Sequence, residues 1–197
     1  GEMPESDAIE LVREAVKEGI NFFDTAPGYS AGRSEYIIGQ GIKGHRDEVF
    51  INTKYGHKAN GTSDFSSLNM KSTIQESLER LEINYLDSVI LHNPEMYILE
   101  SKTDLEDKFL ELKSKGLIRG YGVSIDTYEE LKTVLTHWDV DVIEILFNIV
   151  NQDVAKLFDE VEKRGILLVV KVPLDSGWLT GKYNQKSQFS GIRSRWD

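Results

Sequence analysis

Four residues in the first half of the chain have the types and order for proton chemistry at a carbonyl: Asp24, Tyr29, Lys54 and His92. A lysine ammonium near a tyrosine hydroxyl favours the phenolate and lowers a pKa that starts at about 10. An aspartate beside the lysine keeps that cation from being stranded away from water. A tyrosine so placed gives up a proton at neutral pH. If a hydride reaches a carbonyl carbon while the phenol protonates its oxygen, neither a metal nor a covalent intermediate is needed. His92 would orient the carbonyl or relay the proton. Taken singly, each residue has an ordinary structural reading: Asp24 a turn or cap, Tyr29 a loop aromatic, Lys54 a cation snorkelling from a strand end, His92 a satisfied core histidine. Their joint order carries the functional reading.

The elements that must position them alternate. Ile9, Val12 and Val16 recur at helical spacing and predict a helix over residues 7–18, capped by Ser6 and ended by Gly19. Residues 20–24 read as a short buried strand that stops at the turn Thr25-Ala26-Pro27-Gly28. Helices are then expected over residues 34–40, 70–82 and 105–115, and strands over 49–54, 86–92 and 120–124. Thr127 with Glu130 three residues on spells a capping box for a helix running through Trp138. A strand over 142–148, a helix over 154–164 and a strand over 166–172 complete the series.

Strands buried on both faces by crossover helices are apolar throughout, as these are, so the class is α/β with parallel strands. Doubly wound sheets and eight-stranded barrels share this local pattern. In both, the carboxyl ends of strands carry function, and Asp24, Lys54, His92 and Ser124 all fall at or just past such an end. A barrel would gather those ends into one ring. About six strand-helix units are present, whereas an eight-unit barrel usually needs about 250 residues. Residues 1–197 are therefore expected to be one partial barrel domain, either a piece of a longer barrel or an open six-stranded arc with edges that need covering.

Other chemistries find little support. The chain carries 33 acidic and 23 basic residues, a formal charge of -10, which disfavours nucleic acid as a partner. It has no cysteine, so thiol catalysis and disulfides are excluded, which fits a reducing compartment, and with no charged-then-apolar leader a cytoplasmic setting is expected. The most apolar stretch, residues 165–174, is short and interrupted by Lys171, which speaks against a membrane span. Gly39 to Gly44 matches G-x-G-x-x-G but closes a helix and precedes a strand, the reverse of a pyrophosphate cradle. His45, His57, His92 and His137 are scattered singly and spell no metal site.

The words around the four residues point further. Asp24-Thr25-Ala26-Pro27-Gly28-Tyr29, Ser34-Glu35-Tyr36-Ile37-Ile38-Gly39, Thr53-Lys54, Leu91-His92-Asn93-Pro94, Gly122-Val123-Ser124 and Leu179-Thr180-Gly181-Lys182-Tyr183 together resemble the aldo-keto reductases. The resemblance implies a parallel (β/α)8 TIM barrel, incomplete in this chain, whose first strand and C-terminal cofactor-binding part have no counterpart here. It implies an oxidoreductase that moves a hydride from NADPH, with NADH as the less frequent donor, to the carbonyl of a small aldehyde or ketone. Tyr29 would be the general acid, Lys54 and Asp24 its tuning pair, and His92 the residue aligning the substrate. By the same resemblance Ser124 would bond the nicotinamide carboxamide, Phe147 would stack on the ring, and Pro173, Leu174 and Gly177 would lie in the loop approaching the pyrophosphate. No metal is implied.

Departures from the family pattern are equally visible. Ile125 replaces the Asn that usually follows the strand-end Ser, and Glu144 stands where Gln is usual, a carboxylate that could still accept from the carboxamide amine. Lys171-Val172-Pro173-Leu174-Asp175 replaces an aromatic-Ser-Pro-Leu-Gly arrangement and adds a charge of each sign. The alternative reading is a nucleotide-sensing or scaffold barrel, or a truncated reductase without activity of its own.

Overall fold

The computed structural model describes residues 3–101 and 104–189. Six parallel strands form one sheet in strict sequence order: β1 (Phe22–Asp24), β2 (Phe50–Tyr55), β3 (Leu86–His92), β4 (Ile118–Ile125), β5 (Val142–Leu146) and β6 (Leu167–Lys171). A doubly wound sheet would reverse its strand order part-way. Sequential order with a helix on each crossover is the topology of a (β/α)8 barrel, of which this is a six-stranded arc.

The helices are α1 (Glu5–Lys17), α2 (Arg33–Gly41), α3 (Ser67–Leu81), α4 (Met96–Glu100), α5 (Leu105–Ser114), α6 (Tyr128–His137) and α7 (Phe158–Lys163). Alternation along the strands sends Ile51, Val89, Leu91, Val123, Ile143 and Ile145 outward. They pack on Ile74, Leu81, Phe109, Leu112, Leu131 and Val134 of the helices in one continuous apolar core. The opposite alternate positions are polar: Asn52, Lys54, Ser88, Ser124 and Glu144 are all buried. Outward positions thus build the core, and inward ones build a site.

Most expected elements are present, with shifts that have local causes. α1 starts earlier than its cap signal suggested: Pro4 occupies the N-cap, and the Ser6 hydroxyl bonds the Asp7 carboxylate instead of a backbone amide. A proline there lacks only a donor the helix would leave unsatisfied anyway. The capping box at Thr127 and Glu130 is complete, with both reciprocal bonds formed. The expected helix over 154–164 is divided into a 3-10 turn, Asp153–Leu157, and the shorter α7. The strand expected over 20–24 is only three residues long and half-buried, and Ile20 stands 54% exposed before it. β1 has a strand partner on one side only among the described residues, so its other edge lacks the neighbour that an interior strand has. β6, the other edge, is likewise partly exposed.

No described helix is long and apolar enough to cross a membrane.

Candidate active site

Strand register gathers the polar residues at one end of the arc. Asp24 lies opposite Asn52, Lys54 opposite Ile90, His92 opposite Ser124, and Ser124 opposite Glu144, all at or near the carboxyl ends of their strands. β4 can approach β5 closely here because Gly122 lacks a side chain: a Cβ would stand 1.7 Å from the Val142 carbonyl oxygen.

Lys54 is the centre of the cluster, its side chain 1% exposed. Its ammonium donates to the Asp24 carboxylate and, at 3.1 Å, to the Thr25 carbonyl, and lies 3.4 Å from Glu144 Oε2. Asn52 donates to the other Asp24 oxygen at 2.6 Å and accepts from Ser88, so the carboxylate is held from both sides. Tyr29 opens the kinked turn Tyr29–Gly32, and its ring centre is 5.1 Å from the Lys54 ammonium. The His92 ring meets Tyr29 edge-on at 5.8 Å and meets His57 at 4.9 Å.

The electrostatics correct one expectation. Burial pushes the Tyr29 phenol above its ordinary value; Lys54 pulls it down, as expected, but too weakly to reverse the sign, and Asp24 and Glu144 add to the rise. Burial disfavours the Lys54 cation, yet Asp24, Glu144 and Tyr29 together hold its pKa above the usual lysine value. Asp24 is raised, chiefly by burial and also by Glu144, against the pull of Lys54. Burial, with Lys54, His57 and Lys171 nearby, presses His92 down to about 4, so its imidazole is neutral at working pH. His92 Nδ1 is buried without a hydrogen-bond partner among the described residues.

A second cluster adjoins the first through Glu144. The Ser124 hydroxyl lies 2.8 Å from Glu144 Oε1 and 2.9 Å from Asn93 Oδ1, and its single proton serves one of them at a time. Lys171 donates to Ser124 and to Asn93, each at 2.8 Å, and pairs with Asp126 at 2.8 Å. Sequence reasoning assigned no role to Asn52, His57, Asn93 or Asp126. Asn52 was within reach of it, being two residues before Lys54 and so on the same strand face. The others sit on loops, where periodicity says nothing.

Asp24, Tyr29, Lys54, His92, Ser124 and Glu144 are therefore brought together. Phe147 is not: Glu144 faces inward, so the residue three further on turns outward, and the Phe147 ring packs on Phe158 of the helix layer with centroids 5.2 Å apart. Pro173 and Leu174 are exposed on the rim beyond β6, and Gly177 lies in the turn Asp175–Thr180 against Tyr183. Strained backbone surrounds the mouth. Ser30, Ala31, Asn93, Val172, Asp175 and Ser176 all hold φ between 47° and 55°, a left-handed conformation that costs a non-glycine residue about 1–2 kcal/mol. Beside the cluster, His57, Phe65, Asn93, Glu95, Tyr97 and Asp104 border a cleft of about 590 Å³, the size of a small-molecule pocket.

A sequence model of the Aldo/keto reductase family matches residues 1–197. The chain belongs to this family. It is 31% identical over 189 residues to L-galactose dehydrogenase of Arabidopsis thaliana, an alignment covering 91% of this chain and 59% of that protein. With the NADH-specific methylglyoxal reductase of Escherichia coli it shares 30% identity over 214 residues, covering 98% of this chain and 64% of the relative. Among solved structures, the holo form of an aldo-keto reductase from Bacillus halodurans superposes with a TM-score of 0.84 at 27% identity, over 96% of this chain and 65% of that one. The chain thus spans about three-fifths of the length of these family members.

Proposed function

We propose that this aldo-keto reductase reduces the carbonyl of a small aldehyde or ketone, with Tyr29 as general acid. The observation that carries the reading is the pair of buried Lys54 with the partly exposed Asp24 carboxylate, set beneath the Tyr29 ring, with a neutral His92 on the ring's edge. NADPH is the proposed cofactor, and when bound it would supply the hydride. The mouth suits a nicotinamide head: Ser124, Asn93 and Glu144 offer a hydroxyl, an amide and a carboxylate to a carboxamide. Beyond β6 the left-handed residues Val172, Asp175, Ser176 and Gly177 curve the backbone in the manner of phosphate-binding nests. One relative is named as NADH-specific, which makes NADH the competitor to test.

In this reading Tyr29 holds the transferable proton as a phenol, Lys54 faces the negative charge left on the oxygen, and Asp24 keeps Lys54 charged. Neutral His92 offers a hydrogen bond to the carbonyl oxygen without competing as the acid. The cleft lined by Phe65 and Tyr97 would take the body of the substrate.

The test is turnover and cofactor affinity of the complete protein with Tyr29→Phe. Reduction is expected to fall by roughly three orders of magnitude with NADPH affinity little changed, because the hydroxyl acts in the transition state. Undiminished turnover would remove Tyr29 from the role. Tight NADPH binding with no carbonyl reduction by the parent protein would favour a nucleotide-sensing barrel.

A further inference from the structure

We propose that Glu144 is a positioning residue that acts on the proton donor through Lys54, keeping Tyr29 in its phenol form and so extending carbonyl reduction to higher pH. The inference rests on the reading of Tyr29 as proton donor given above.

Charge accounting around the cluster leads to it. Lys54, from β2, is matched by Asp24 from β1. Lys171, at the end of β6, is matched by Asp126 from the loop after β4. His92 from β3 is neutral, and His57 lies toward the rim, its Nδ1 2.7 Å from the Ser63 hydroxyl. Glu144 from β5 is the charge left over, a second carboxylate on an ammonium that already has one. Its side chain is 6% exposed, with one oxygen 3.4 Å from Lys54 and the other 2.8 Å from Ser124. Water cannot screen it at its own position, and its field acts on Lys54, whose ammonium lies 5.1 Å from the centre of the partly exposed Tyr29 ring.

The chemical consequence follows from where the proton goes. In reduction a bound nicotinamide would supply the hydride, with its electron pair, to the carbonyl carbon, while Tyr29 would give its proton to the carbonyl oxygen and be left as a phenolate for solvent to reprotonate. The reverse reaction needs the phenolate first, to take the proton of the alcohol. A surplus negative charge disfavours the phenolate, so the proton donor is retained to higher pH, while the equilibrium between the two directions stays that of the reactants. An amide at position 144 would keep the bond to Ser124 and remove that charge.

The experiment places a fluorotyrosine, whose phenol titrates at a lower pH than tyrosine, at position 29 of the full 197-residue chain and follows its single fluorine NMR signal against pH without cofactor. Glu144→Gln is expected to lower the inflection by about one pH unit, the size of a unit charge partly shielded inside a protein. Glu144→Asp, which keeps the charge, should stay within a few tenths of the parent. Glu144→Met provides a second neutral variant if the amide does not fold. An inflection shared by parent and neutral variants would overturn the proposal and leave Glu144 as a cofactor contact at most. In the complete protein the alkaline limb of the reduction profile should move by the same amount as the fluorine inflection. A spectroscopic shift in a protein that reduces nothing would sink the reductase reading alone, and reductase activity with an unmoved inflection would sink this inference alone.

Discussion

His92 shows how one side chain couples the site to the stability of the chain. Its folded pKa of about 4 lies below the ordinary 6.5, because burial and the nearby Lys54, His57 and Lys171 disfavour the imidazolium. Between those values the unfolded chain binds a proton that the folded chain refuses, so stability rises with pH across that window. The contribution is fully present above 6.5 and is lost as pH falls toward 4. After allowance for solvent screening of a partly exposed ring it amounts to roughly 1–2 kcal/mol. Melting temperatures from pH 7 down to pH 4 should therefore fall less steeply for His92→Gln than for the parent, and parallel curves would remove His92 from the acid response. The gathering of Asp24, Tyr29, Lys54 and His92 was legible from the sequence through their joint order and the words around them, three standing at or near strand ends and Tyr29 in the turn after β1. The direction of the Tyr29 shift was not, since it depends on how much burial and how many carboxylates surround one ammonium.

One turn of one helix fixes three of the site's residues at the scale of elements. Ser34 and Glu35 open α2 directly after the turn that carries Tyr29. The Thr25 hydroxyl, next to Asp24, donates to Ser34 at 2.9 Å, and the Thr53 hydroxyl, next to Lys54, donates to Glu35 at 2.7 Å. The second Glu35 oxygen accepts from Arg80 of α3 at 2.6 Å, and Glu35 is completely buried. Gly32 completes the lock: at φ +86°, a Cβ there would lie 2.7 Å from the Arg80 side chain. Glu35→Ala would strand the guanidinium and the Thr53 hydroxyl, and is expected to cost about 3 kcal/mol in urea unfolding. A loss below about 0.5 kcal/mol, the ordinary surface range, would show that the clamp contributes little. The word Ser34-Glu35 was visible in the sequence, but its partner Arg80 lies on another helix, 45 residues away, and no local periodicity joins them.

The two edges of the arc govern how the 197-residue chain associates. β1 and β6 each have a single partner among the described residues, and Leu167 and Val170 on β6 are 43% and 42% exposed. An unpaired apolar strand edge is a template for association. Static light scattering of the 197-residue chain should show concentration-dependent self-association that Leu167→Lys together with Val170→Lys reduces; equal scattering by both would relieve β6 of that role. By itself the sequence determined the alternation of strands and helices, the strand-end residues and the family they resemble, because period-two and helical patterns and short motif words are local properties. Periodicity alone left a barrel arc and a doubly wound sheet open, and it was the resemblance of the motif words that pointed to the barrel the strand order shows. The sequence did not decide the outward turn of Phe147, the drawing of Lys171 into the Ser124 cluster, or the pairing of Lys54 with two carboxylates from different strands. Those depend on strand order and register, which bring together groups far apart in the chain, and only the tertiary structure decided them.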